Sequence, residues 1–130
     1  MIRHQKEALK LLLVDDEEGY VNVLSNRLSK RGIQVRKTTS GTEAIQTLRK
    51  EEFDVAILDL KMEDMDGIEV LKIFRKMAPE MAVIMLTGHG SEIAAKEGIG
   101  LGAFDYLTKP CVLEDLLEKI YEADHARRED

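Results

Sequence analysis

The segment Lys10-Leu11-Leu12-Leu13-Val14-Asp15-Asp16 carries four consecutive branched aliphatic side chains straight into a pair of carboxylates. A short apolar run bounded by charge reads as a strand covered on both faces, the arrangement of a parallel sheet between two layers of helix. The pattern recurs downstream. Val55 to Leu58 ends on Asp59, and Ala82 to Leu86 ends on Thr87. Two further strands are expected, at Ile33 to Lys37 and at Ala103 to Leu107. In the former, Val35 alternates with Gln34 and Arg36, the mark of a sheet edge.

Segments of helical spacing separate these runs, and alternation of this kind is the signature of βαβ units. Val21, Leu24 and Leu28 form one stripe, which stops at Gly32, a residue suited to a left-handed C-terminal position. Ala44, Ile45 and Leu48 form a second, opened by Ser40 with Glu43 three residues on, the capping-box spacing. Asp66 with Glu69 repeats that start for Val70, Leu71 and Phe74, and Pro79 blocks continuation. Leu113, Leu116, Leu117 and Ile120 form the last stripe. The segment Ser91 to Leu101 holds Gly98 and Gly100, each costing a helix about 1 kcal/mol relative to alanine, so a short or mobile helix is expected there.

The chain has 130 residues, the length of one domain, and 44% hydrophobic with 34% charged content is the balance of a soluble globular protein. Nineteen Lys and Arg against 25 Asp and Glu leave a net charge of −6, which disfavours direct binding to nucleic acid by this domain. Leu11 to Val14 is far short of the ~20 apolar residues that span a bilayer, so no membrane segment is expected. Met1 to Lys6 is polar and leads into no signal-peptide core, and the lone Cys111 can close no internal disulfide. Both point to the cytoplasm.

In open α/β sheets, ligands bind beyond the C-terminal ends of the strands. Asp15, Asp16, Asp59, Thr87 and Lys109 all fall on that edge. Three carboxylates brought together repel and raise one another's pKa unless a cation neutralises them. An oxygen-only donor set suits Mg²⁺, whereas Zn²⁺ would want His or Cys. An acid flanked by a metal, an ammonium and a hydroxyl suits a phosphoryl group. Simpler readings stand beside these: the aspartate pair as a solvated helix cap, Thr87 as an ordinary strand residue, Lys109 as a surface lysine and Tyr106 as strand packing.

At these residues the chain resembles the receiver domains of two-component response regulators, the CheY-like family. The likeness lies in Leu13-Val14-Asp15-Asp16, Leu58-Asp59-Leu60, Met65-Asp66-Gly67, Leu86-Thr87-Gly88 and Tyr106-Leu107-Thr108-Lys109-Pro110, and it covers about Leu11 to Ile120. It implies a single-domain, doubly wound (βα)5 three-layer α/β sandwich of the flavodoxin-like kind, with a five-stranded parallel sheet of order 2-1-3-4-5. It places the receiver domain at residues 8–124 and leaves 125–130 as a charged tail or linker stub.

The resemblance further implies that Asp59 is the phosphoacceptor, and that Asp15, Asp16, Asp59 and the Lys61 backbone carbonyl hold Mg²⁺. Thr87 and Lys109 then contact the phosphoryl oxygens, the Lys109-Pro110 bond is cis, and Tyr106 turns inward as a switch. The implied partners are a histidine kinase or phosphotransfer protein and an output domain or partner protein on the face of the fourth helix, fifth strand and fifth helix. A phosphorylation-dependent dimer stays open. Thr87-Gly88-His89-Gly90 is similar to receivers that precede sigma-54-type activator modules.

The chain departs from the family pattern at Glu63, where Pro is frequent, and at Val112, where a capping side chain would start the last helix. Lys61 and His89 are expected to border the path of water to phosphorus, favouring a phosphorylated state that lasts minutes or longer. Two other functions remain open. A phosphohydrolase of the haloacid dehalogenase type would want a second Asp where Lys61 stands, and a phosphorylation-independent interaction module would have no use for Asp59, Thr87 and Lys109 together.

Overall fold

The computed structural model describes residues 8–88 and 91–129. Strands and helices alternate as β1 (Lys10–Val14), α1 (Glu18–Ser29), β2 (Gln34–Thr38), α2 (Gly41–Lys50), β3 (Val55–Asp59), α3 (Gly67–Met77), β4 (Ala82–Thr87), α4 (Glu92–Gly100), β5 (Asp105–Thr108) and α5 (Leu113–Glu129). The strands pair in parallel in the order β2-β1-β3-β4-β5, as the resemblance implied.

The period of two along each strand divides the core. Leu12, Val14, Ala56, Leu58, Val83 and Met85 face Ala44 and Leu48 of α2, Leu71 and Phe74 of α3, and Ala95 of α4. Their neighbours Leu11, Leu13, Val55, Ile57, Ile84 and Leu86 face Val21, Leu24 and Leu28 of α1 and Leu116, Leu117 and Ile120 of α5. Buried on both sides, β1, β3 and β4 have no polar face, which is why they read as unbroken apolar runs.

The starts of α2 and α3 fall where the sequence places them, although neither closes a full capping box: Glu43 accepts from the Thr39 N–H at 2.9 Å and Glu69 turns to Lys72. Ser40 accepts from the Glu43 N–H, and Asp66 accepts from the Ile68 N–H, both at 3.0 Å. Gly32 takes φ +85° after α1, and Gly102 takes φ +111° after α4. The weak helix α4 is nine residues long. Its Gly98 is buried, and a Cβ there would run into the Met85 thioether of β4, so the glycine that weakens the helix also lets it close on the sheet.

Two expectations are corrected. β5 begins at Asp105, not Ala103, because the Ala103 N–H is committed to the Gly98 carbonyl at 3.0 Å, closing the end of α4. The chain beyond Asp124 is no loose tail, since α5 continues to Glu129. Asp124 accepts from Arg127 at 3.0 Å and from Arg128 at 3.1 Å, and Arg127 also pairs with Asp54, beside the start of β3. No helix among the described residues is long and apolar enough to cross a membrane.

Candidate functional site

Strand register builds the site. Val14 of β1 lies opposite Leu58 of β3, so the next residues, Asp15 and Asp59, emerge side by side. Asp59 in turn lies opposite Leu86 of β4, which sets Thr87 one step further out. Thr87 pairs with Thr108 of β5, and the following Lys109 N–H donates to the Thr87 carbonyl at 2.7 Å. Carboxylate oxygens of Asp15, Asp16 and Asp59 all lie within 4.8 Å of one another.

Each acid is held differently. Asp15 is fully buried, and its Oδ1 accepts from the Glu17 N–H at 3.0 Å. Its Oδ2 meets the Lys109 ammonium at 2.7 Å. Asp16 is half-buried and accepts from the Glu63 N–H at 3.0 Å, so the loop after β3 engages the aspartate pair through its backbone. Asp59 is buried, accepts from the Lys61 N–H at 3.2 Å, and has Lys109 Nζ 3.7 Å from Oδ2.

Burial is the main force that pushes the Asp59 carboxyl up to about 6, and the charge of Asp15 adds to it; Lys109 and the Lys61 N–H pull the other way. Like-charge repulsion, which the sequence put first, is the smaller contribution. Burial also draws the Lys109 ammonium down, but Asp15 and Glu17 outweigh it and hold the group above the ordinary lysine value.

Three carboxylates that converge at one strand edge, two of them buried, suit a hard cation with oxygen ligands. The residues present fit Mg²⁺, with oxygen donors from Asp15, Asp16 and Asp59. Lys61 itself is exposed beside Asp59.

The other expected residues are placed as follows. Thr87 is fully buried, and its hydroxyl makes one long contact, to the Leu107 carbonyl at 3.5 Å. Tyr106 is half-buried in β5 and packs on the cluster that includes Ala95 and Met85. The Lys109-Pro110 bond is cis. α5 starts at Leu113 with the Val112 carbonyl accepting from the Leu116 N–H at 3.2 Å, so the missing cap side chain does not prevent the helix. His89 lies outside the described residues. The helix-cap reading of the aspartate pair is corrected: Asp15 turns the chain ahead of α1, but Glu17 is the cap position and makes no side-chain cap bond.

Three residues escaped the sequence reading. Glu17 Oε1 sits 3.0 Å from Lys109 Nζ, and the Tyr20 ring centroid lies 4.6 Å from the same ammonium. Their spacing of three along the start of α1, next to the aspartate pair, is the signal that could have found them. Asp64 accepts from the Gly41 and Thr42 N–H groups at 3.0 Å each, so the loop after β3 caps α2 from a distance that no local pattern shows.

Residues 11–121 match the model of the response regulator receiver domain. Over 113 residues the chain is 40% identical to the transcriptional regulatory protein GlrR of Escherichia coli K12, covering 87% of this chain and 26% of that protein. The chain thus spans about a quarter of the length of that curated relative. A response regulator receiver domain protein from Clostridium thermocellum superposes with a TM-score of 0.89 at 34% identity, covering 92% of this chain and 97% of that one. A CheY-like receiver domain protein from Methanospirillum hungatei JF-1 gives 0.90 at 31% identity, with 95% and 98% covered. With both strand order and sequence in agreement, the chain belongs to the receiver domains of two-component response regulators.

Proposed function

We propose that Asp59 accepts a phosphoryl group from the phosphohistidine of a histidine kinase or phosphotransfer protein, and that the resulting acyl phosphate switches an output surface. The observation that carries this reading is the buried Asp59 carboxylate clustered with Asp15 and Asp16, with a lysine ammonium in reach of Asp15 and Asp59. An Asp59 oxygen attacks phosphorus in line, the new P–O bond forms as the P–N bond breaks, and the imidazole nitrogen leaves with the electron pair. Asp15, Asp16, Asp59 and the Lys61 carbonyl would hold a Mg²⁺ ion, whose charge neutralises the phosphoryl oxygens. Lys109 supplies the second positive charge.

Phosphorylation adds charge at the end of β3 and gives the buried Thr87 hydroxyl a stronger acceptor than its 3.5 Å contact to Leu107. Movement of Thr87 then frees space toward Tyr106, one strand away. On the surface nearby, Ile93, Ile99, Leu101 and Phe104 are exposed apolar side chains of α4 and the turn into β5. They suit an output domain or partner protein, in keeping with a chain that matches only part of a longer regulator.

Intact-mass measurement after incubation with acetyl phosphate tests the reading. One phosphoryl increment is expected with Mg²⁺, none with EDTA, and none in Asp59→Asn. A phosphoryl group on the Asp59→Asn protein would refute it.

A further inference from the structure

We propose that Glu17 and Tyr20 are positioning residues for Lys109, acting in opposite directions: Glu17 holds the ammonium back from an incoming phosphoryl group, and the Tyr20 ring keeps it aimed over the acidic cluster. The inference rests on the reading of Asp59 as phosphoacceptor and adds to it a control on the group that must meet the phosphoryl oxygens.

The ammonium has three N–H donors, and three carboxylates surround it: Asp15 at 2.7 Å, Glu17 at 3.0 Å and Asp59 at 3.7 Å. Asp15 and Asp59 are also the acids placed to hold the metal, so a bound cation draws their charge away from Lys109. Glu17 has no such second engagement. It remains the anion that competes with the phosphoryl oxygens for the lysine donors. Its side chain is 66% exposed, which makes the hold modest and sensitive to salt. The Glu17 N–H bond to Asp15 keeps this carboxylate at the rim.

Tyr20 works by other means. Its half-buried ring lies under the ammonium at 4.6 Å, where the ring quadrupole attracts a cation without presenting a negative oxygen that rivals the phosphoryl group. Contact with the ring persists while Lys109 exchanges a carboxylate for a phosphoryl oxygen. The attraction belongs to the ring, and the hydroxyl has no part in it.

The test uses the whole chain as wild type, Glu17→Gln, Tyr20→Leu and Tyr20→Phe. The first readout needs no phosphodonor. In a protein carrying ¹³C-labelled lysine, the Lys109 ε-methylene NMR signal is expected to be ring-shifted in wild type, unshifted in Tyr20→Leu, restored in Tyr20→Phe and displaced in Glu17→Gln. The second readout is the phosphorylation rate with acetyl phosphate and Mg²⁺. Glu17→Gln is expected to react about two- to fivefold faster at low salt, with the gain shrinking as salt rises. Tyr20→Leu is expected to react about three- to tenfold slower, and Tyr20→Phe to recover the rate. An unshifted wild-type signal, a Tyr20→Phe protein as impaired as Tyr20→Leu, or a Glu17→Gln protein no faster than wild type would each overturn the proposal. A wild-type protein that takes up no phosphoryl group refutes the phosphoacceptor reading, and the lysine signal still decides the positioning of Lys109.

Discussion

Adding one methyl group at Gly67 probes how tightly the loop after β3 is clamped. The Gly67 N–H donates to the Leu60 carbonyl at 3.2 Å, and a Cβ at this position would lie 2.5 Å from Leu60 Cα, against the 3.4 Å at which ordinary contact begins. The shortfall is 3.4 − 2.5 = 0.9 Å, and main-chain atoms have no rotamer into which to retreat. Either the first turn of α3 or Leu60 must move. Overpacking costs about 1–3 kcal/mol, and the rigid neighbour argues for the upper end. Alanine returns up to about 1 kcal/mol in helix propensity. The net loss is then about 2 kcal/mol, or roughly 7 °C in melting temperature at ~2.1 cal/mol/K per residue over 130 residues. Leu60 lies between Asp59 and Lys61, so its displacement is also expected to weaken Mg²⁺ binding. Calorimetric melting and Mg²⁺ titration of Gly67→Ala measure both effects. Gly100→Ala is the control, since a Cβ there meets nothing within 4 Å and should leave the melt unchanged or raise it. A Gly67→Ala protein that melts at or above wild type, with unaltered Mg²⁺ affinity, would refute the clamp.

Asp64→Ala is expected to cost roughly 0.5–1 kcal/mol by uncapping α2. The Thr42 N–H bond holds the Asp64 carboxyl below its usual value of 3.8, so this stabilisation is present above about pH 4 and lost as pH falls through the lowered value; urea melts of the two proteins should converge in acid. Burial lifts Asp59 to about 6, so its ionised form strains the metal-free fold. Asp59→Asn should therefore raise the melting temperature in EDTA at pH 8 and lose that advantage as pH falls from about 6 to the ordinary value of 3.8, over which the folded protein takes up its proton at this position. Arg127→Ala removes the pairs to Asp124 and Asp54, and hydrogen exchange should quicken in the last turn of α5 while amides at the acidic site keep their protection.

What the sequence showed, and what it hid, follows the range of the forces involved. β1, β3 and β4 were legible because burial on both faces forces an apolar run, and a charge at its end can serve only an edge where the helices do not cover the sheet. The caps at Ser40 and Asp66 were legible because donor and acceptor lie two or three residues apart. The start of β5 was misplaced because Ala103 and Phe104 are as apolar as a strand, while the bond that commits Ala103 reaches back to Gly98. The extension of α5 was missed because a charged sequence gives no apolar stripe, and the contact that anchors it joins Arg127 to Asp54. Long-range pairing also conceals Glu17: its charge looked like one more member of an acidic helix start until β5 brought Lys109 against it. The acids at the strand ends could be read one strand at a time, but the lysine's choice among them is a property of the sheet that brings those ends together.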